Sequence, residues 1–387
     1  MTHTAQSVTE TPLLIASKGS IVNRNDFNFP AGMFLGACND SVFLQKYINA
    51  FARMLNQATV NFDFTALQGD FFFQKYLENN RQKLNYRLKW AKKLKEQDVI
   101  ATVKYPDFCD DVFDTNFLSK IFSSLNGVCF SVDNLQDTMI NYLENYGYKG
   151  LNFFEVQTDV SDSIVARAVL SGVNMFIVEH EPEKFIKQVE RLIKSGLISK
   201  KDIDKSVYKI LLAKTWFGLN KEIFRSAEYR FQKIFTRKNK KLSWLIYEKT
   251  AALLINNKHT IPLKDCRKIK AVFYSKNKKQ FDILRKSMHY YFDFQDTTNL
   301  FAGDDITHVI IAVQQADSLL SDSVFVKNLK QLSDKKVLVL INFGKPLHAK
   351  ITDWADAVIQ LYDLHPFSQS LAAQIICGDI KPKGKLP

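Results

Sequence analysis

The sequence predicts an α/β chain in two parts: an incomplete TIM-type β/α barrel, followed by an open α/β sandwich. Three observations predict it. Short apolar runs alternate with longer stretches of helical spacing over most of the chain. The first part offers about six strands, where a closed barrel needs about eight. The second part restarts the alternation after a basic stretch at residues 225–241, and no Gly-rich phosphate loop follows any of its strands. With 387 residues the chain is long enough for two domains with proper cores.

The elements run in order as follows. Leu13–Ala16 is a short apolar strand. Asn39-Asp40 forms a helix N-cap, and the helix at 41–57 carries Phe43, Tyr47, Ile48, Phe51 and Leu55 at helical spacing. Strands are expected at 59–64, 98–104, 127–132, 150–156 and 173–178. Helices are expected at 71–97, 135–145, 164–171, 182–195 and 202–217, the last stopped by Gly218. In the second part a helix is expected at 242–256. Strands follow at 268–274, 307–313, 336–342 and 357–361, with a closing helix at 368–377.

Composition narrows the function classes. The chain is 46% hydrophobic and 24% charged, with no low-complexity block. No run reaches the ~18 apolar residues of a membrane span. Residues 1–11 are polar and lack an apolar signal core, so the expected location is the cytosol unless an export signal was removed. Net charge is +13, but the lysines are dispersed. That pattern predicts a solvated basic surface, with an anionic polymer as the specific alternative and no nucleic-acid motif. The five cysteines are scattered, odd in number and never in a CxxC. They predict neither a disulfide framework nor a zinc site, and no cofactor or metal is expected.

The central stretch is Gly147-Tyr148-Lys149-Gly150-Leu151-Asn152-Phe153-Phe154-Glu155-Val156. A glycine-containing turn feeds a buried-type strand that ends in Glu155, on the edge where β/α barrels place chemistry. A strand-end carboxylate facing water is the plain alternative. Glu179-His180-Glu181 follows the next strand and reads either as an exposed loop or as a substitute acid or ligand.

Several phrases together resemble glycoside hydrolase family 3. They are Phe29-Pro30 through Leu35-Gly36-Ala37, Gly147 to Leu151, Ser171-Gly172-Val173-Asn174, Lys209 to Asn220, Leu253 to Asn257 with Ile261-Pro262-Leu263, and Lys383-Gly384-Lys385-Leu386-Pro387. Their order is the family's, and the flavour is that of the bacterial β-N-acetylglucosaminidase branch. The resemblance implies a degenerate barrel domain at 11–220, a basic linker at 221–241 and a C-terminal sandwich domain at 242–387. It also implies retaining hydrolysis by an Asp nucleophile with an Asp–His dyad as acid/base.

The polar positions depart from that pattern. Glu155 stands at the nucleophile position, and one extra methylene shifts a carboxylate in a site that needs sub-ångström placement. Asp114 is the remnant of the dyad, and Asn116 replaces its His, so the proton shuttle worth about 10²- to 10⁴-fold is missing. The sugar-binding loop keeps Lys104 and then reads Tyr105-Pro106-Asp107. Glu179 and His180 complete the substrate-binding candidates. The expected function is therefore that of an inactive family 3 homologue in cell-wall (peptidoglycan) sugar metabolism, binding a β-linked N-acetylglucosamine glycan or serving as a scaffold, with a serine hydrolase domain as a further partner. An active retaining β-N-acetylglucosaminidase using Glu155 stays open beside it. The resemblance also implies a periplasmic setting where an export signal is present.

Overall fold

A computed structural model describes residues 16–17, 21–24, 27–30, 34, 37–57, 61–63, 92–96, 99–104, 126–131, 139–156, 159–219, 234–297, 303, 305–314, 322–344 and 353–386. The chain divides into two compact units. One comprises residues 1–21 and 48–236, the other residues 22–47 and 237–387.

The first unit is built on one parallel sheet. Its strands are β1 (Ala16–Ser17), β4 (Phe62–Asp63), β5 (Ile100–Lys104), β6 (Gly127–Phe130), β7 (Leu151–Val156) and β8 (Met175–Val178), in that spatial order. Every neighbouring pair is parallel. Among the described residues β1 and β8 remain edges, and no closed barrel is seen. These strands lie within or beside the runs expected from sequence.

The helices of this unit follow the same logic. They are α2 (Met139–Asn145), α3 (Asp162–Leu170), α4 (Pro182–Lys194) and α5 (Lys200–Trp216). Pro182 opens α4, where its missing N–H is no loss. Ser199 caps α5 by accepting the Asp202 amide, and Gly218 ends it in the left-handed region at φ +68°. The helix expected at 71–97 lies largely outside the described residues.

Two packing details explain residues that sequence marked only as motifs. A Cβ on Gly150 would sit 2.5 Å from the backbone of Asn126, whose carbonyl accepts the Leu151 amide at 3.0 Å. Asn174 accepts the Asn152 amide, and the Asn152 side chain donates to the Gly172 carbonyl, both at 3.0 Å. These groups hold β7 in register with its neighbours.

The second unit has its own sheet, in the order β11-β10-β12-β13-β14-β9. The strands are β9 (Ala252–Asn256), β10 (Ala271–Tyr274), β11 (Phe294–Thr297), β12 (His308–Val313), β13 (Val337–Phe343) and β14 (Ala357–Leu361). All pairs are parallel except β9 on β14. The parallel part follows the 2-1-3-4-5 order of doubly wound folds. Its helices are α6 (Arg237–Thr250), α7 (Asp282–His289), α8 (Ser323–Ser333) and α9 (Pro366–Cys377). Val309, Ile311, Leu338, Leu340 and Val358 form a core with Leu329 and Leu332 of α8. Phe281 packs edge-on against Phe273 and tilted against Phe343 in a second aromatic cluster.

One expectation is corrected here. The helix read at 242–256 starts at Arg237 and stops at Thr250, and residues 252–256 are β9. A short apolar run such as Leu253-Leu254-Ile255 carries no period that separates strand from helix.

The residues preceding Ile48 show a second difference. Residues 22–47 contain all but the first residue of the ribbon of β2 (Ile21–Arg24) with β3 (Phe27–Phe29), and the start of α1 (Ser41–Gln57). They group with the second unit, although their sequence position suggested the first domain. Phe34 packs edge-on against Tyr247 and Tyr362, and Lys249 pairs with Asp40, the N-cap of α1, at 2.7 Å. Gly384 lies where a Cβ would meet the Thr250 carbonyl oxygen at 2.1 Å, and the Lys385 amide donates to Ala37.

A buried polar knot closes this unit. The Tyr247 hydroxyl donates to Asp363 Oδ2 at 3.1 Å, while Ser368 Oγ and the His365 amide donate to Oδ1 at 2.6 and 3.1 Å. Burial pushes the Asp363 carboxyl above its ordinary range, against those hydrogen bonds. A carboxyl raised in the folded state favours folding fully below the ordinary carboxylate range. That contribution is lost as pH rises through the folded value. Asp363→Asn is therefore expected to flatten the decline in melting temperature between pH 4 and 8. Parallel pH profiles for the two proteins would contradict it.

Candidate functional site

The C-terminal edge of the first sheet carries the candidate site. β7 and β8 run in register from Phe153 opposite Met175 to Val156 opposite Val178. Strand alternation then divides this edge between two faces.

On one face Leu151, Phe153 and Cys129 form an apolar cluster with Met175, Ile177 and three side chains of the α5 segment, Ile210, Ala213 and Phe217. Glu155 belongs to this face by alternation and stands opposite Ile177. On the other face the Phe154 ring lies 6.0 Å from Phe176, which lies 5.1 Å from Phe185 of α4. Val165, Ala166 and Val169 of α3 and Leu192 of α4 complete that layer.

A cleft of about 810 Å³ opens on the second face, over the ends of β7 and β8. Val156, Val160, Val178 and Phe185 supply its apolar wall. Its polar rim is built from the β7–α3 and β8–α4 connections. Arg191 bonds both oxygens of Asp162 at 2.9 and 3.0 Å, and Gln188 bonds Asp162 at 2.8 Å. Lys184 lies 3.3 Å from both Asp159 and Glu181. Gln188 first, and Arg191 with it, hold the Asp162 carboxyl below its usual range. That direction disfavours a general acid. Glu181 and Asp159 keep Lys184 protonated above the ordinary lysine range.

Asp159 and Glu181 both adopt left-handed backbone, at φ +65° and +49°. Each such non-glycine residue costs about 1–2 kcal/mol, and two of them frame one cleft. The rim thus presents fixed charges of both signs above an apolar wall. That chemistry suits a polyhydroxylated ligand with an apolar face.

The structure separates the residues proposed from sequence. Lys104 ends β5 level with Cys129 of β6 and, through it, with Phe153 of β7. Glu179 follows β8 and is exposed, and His180 lines the cleft. Glu155 lies across the sheet from that cleft. Tyr105, Asp114 and Asn116 lie outside the described residues. Lys184, Gln188 and Arg191 were missed, although their i, i+4, i+7 spacing marks one polar face of α4. No group of three or more His, Cys, Asp or Glu side chains is placed to hold a metal among the described residues.

Neither a protein-family model nor a curated protein matches the sequence. Among solved structures, a fungal multi-domain GH3 β-N-acetylglucosaminidase aligns with the whole chain at a TM-score of 0.78 and 16% identity. The chain has the family 3 glycoside hydrolase fold. It spans 54% of that fungal enzyme's length. The β-glucoside phosphorylase BglX aligns at a TM-score of 0.75 and 14% identity, covering 100% of this chain and 86% of that one. A family 3 β-N-acetylglucosaminidase from Paenibacillus sp. str. FPU-7 gives 0.71 and 17%, covering 99% and 87%. The family 3 fold is thus kept at very low identity. Among the described residues no helix is long and apolar enough to cross a membrane.

Proposed function

We propose that this chain is a degenerate family 3 homologue that binds a β-linked N-acetylglucosamine glycan, of the kind found in cell-wall polymers, without hydrolysing it. In this reading the degenerate barrel is drawn from residues 11–220, of which 22–47 pack with the second unit, followed by the basic linker at 221–241 and the C-terminal sandwich domain at 242–387. The observation that carries the reading is the separation of Glu155 from the cleft. The carboxylate at the nucleophile position shares its face with an apolar cluster, and the charged cleft opens on the other side of the sheet. A retaining glycosidase needs its nucleophile and its acid/base on the same sugar, about 5–5.5 Å apart where both are carboxylates. The replacement of the dyad His by Asn116 supports the same reading from sequence.

The test uses 4-methylumbelliferyl β-N-acetylglucosaminide as substrate and tri-N-acetylchitotriose as ligand. The expected result is no turnover by the wild type or by Glu155→Gln, with saturable binding of the trisaccharide by both. Turnover that disappears in Glu155→Gln would replace the proposal with an active retaining β-N-acetylglucosaminidase. Absence of binding as well as turnover would leave the scaffold role alone.

A further inference from the structure

The second unit brings together two cysteines that stand about 110 residues apart in sequence. Cys266 opens the short 3₁₀ turn Cys266–Lys268, and Cys377 ends α9. Two contacts clamp these segments together, and a third fixes Cys266 within its own. The Leu263 amide donates to the Ile376 carbonyl at 2.8 Å, Cys266 Sγ lies 3.2 Å from the Leu263 carbonyl oxygen, and Gly378 stands so close to Pro262 that a Cβ there would lie 2.8 Å from the ring. Cys377 directly follows Ile376, and Cys266 lies three residues past Leu263, so the hydrogen bond between Leu263 and Ile376 sets the two cysteine-bearing segments side by side. Both are free thiols and partly exposed, whereas Cys38 and Cys129 are buried.

We propose that Cys266 and Cys377 are a dithiol pair, oxidised to a disulfide that fastens the end of α9 to the segment after β9. The oxidant is a low-molecular-weight disulfide of the glutathione type. Burial and the neighbouring sulfur push the Cys377 thiol up, which leaves Cys266 as the first nucleophile. The Cys266 thiolate attacks the small disulfide, whose S–S bond breaks and releases one thiol. Cys377 then gives up its proton and attacks the mixed-disulfide sulfur, forming the Cys266–Cys377 bond and releasing the second small thiol. Two protein thiols are oxidised, one small disulfide is reduced, and both protons end on the released thiols.

The experiment treats the full chain with oxidised glutathione, alkylates the remaining thiols with N-ethylmaleimide and maps peptides by mass spectrometry. The expected result is a Cys266–Cys377 cross-linked peptide, with Cys38, Cys109 and Cys129 alkylated after unfolding. A rise in melting temperature of about 5–10 °C on oxidation is also expected, absent in Cys266→Ser and in Cys377→Ser. Alkylation of both Cys266 and Cys377 after oxidation would overturn the proposal. So would a stable glutathione adduct on either. The peptide map is read on the wild type, so it stands even where a serine variant fails to fold.

Discussion

Gly150→Ala is expected to remove about 2–4 kcal/mol from the first unit. The added Cβ would lie 2.5 Å from both the carbonyl carbon and the oxygen of Asn126, closer than non-bonded atoms approach. The obstacle is backbone, so no side chain can swing away. Relief requires β7 to withdraw from Asn126, which breaks the Leu151–Asn126 hydrogen bond and shifts the strand that bears Glu155. Overpacking of this kind typically costs 1–3 kcal/mol, and the lost hydrogen bond adds about 1. Against a usual domain stability of about 5–15 kcal/mol, that is a large share. Urea unfolding followed by hydrogen exchange of the Leu151–Val156 amides, read by mass spectrometry, reports on the first unit. A midpoint within error of wild type would show that β7 yields without strain.

Phe154→Ala is expected to cost the same unit about 3–5 kcal/mol. The ring is fully buried and meets Phe176, which passes the contact on to Phe185 of α4. Removing it leaves a cavity between β7 and the α3–α4 layer, beneath the wall of the cleft. Phe154→Leu fills most of that space and should recover more than half of the loss. Equal losses for the two variants would place the cost in something other than packing.

Much of the first sheet was legible because β6 and most of β7 are buried on both faces, and the strands are separated by helices with clear spacing. Leu151 to Phe154, all buried, read as one apolar run, and Gly218 marked the end of α5 by its chemistry. β9 was misread because three apolar residues carry no period. β11 was not recognised, because Phe294-Gln295-Asp296-Thr297 is short, polar and half exposed. That residues 22–47 pack with the second unit was not legible, since nothing local states that Phe34 meets Tyr247. The site was legible to a lesser degree. Glu155 was found as a strand-end carboxylate, but the face it shares with α5 is a tertiary fact. The Cys266–Cys377 pair has no spacing signal, since only the fold closes so long a gap.

The motif phrases gain a physical meaning from this comparison. Gly150, Gly172, Asn174 and Gly384 stand where backbones approach closely or where a side chain stitches two strands. Such residues are constrained by the framework whatever the protein does with a sugar. A scaffold can therefore keep them while its polar site positions change.

The divided second unit has a consequence for biosynthesis. Residues 22–47 leave the ribosome early, but their packing partners begin at Arg237. Roughly 190 residues separate them, which at ordinary elongation rates is a wait of about 10–40 s. During that interval Phe34, buried in the finished protein, waits for Tyr247 and Tyr362, and Asp40 waits for Lys249. Translation speed and chaperone supply should thus govern the yield of this protein more strongly than they would if the same unit were encoded in one continuous stretch.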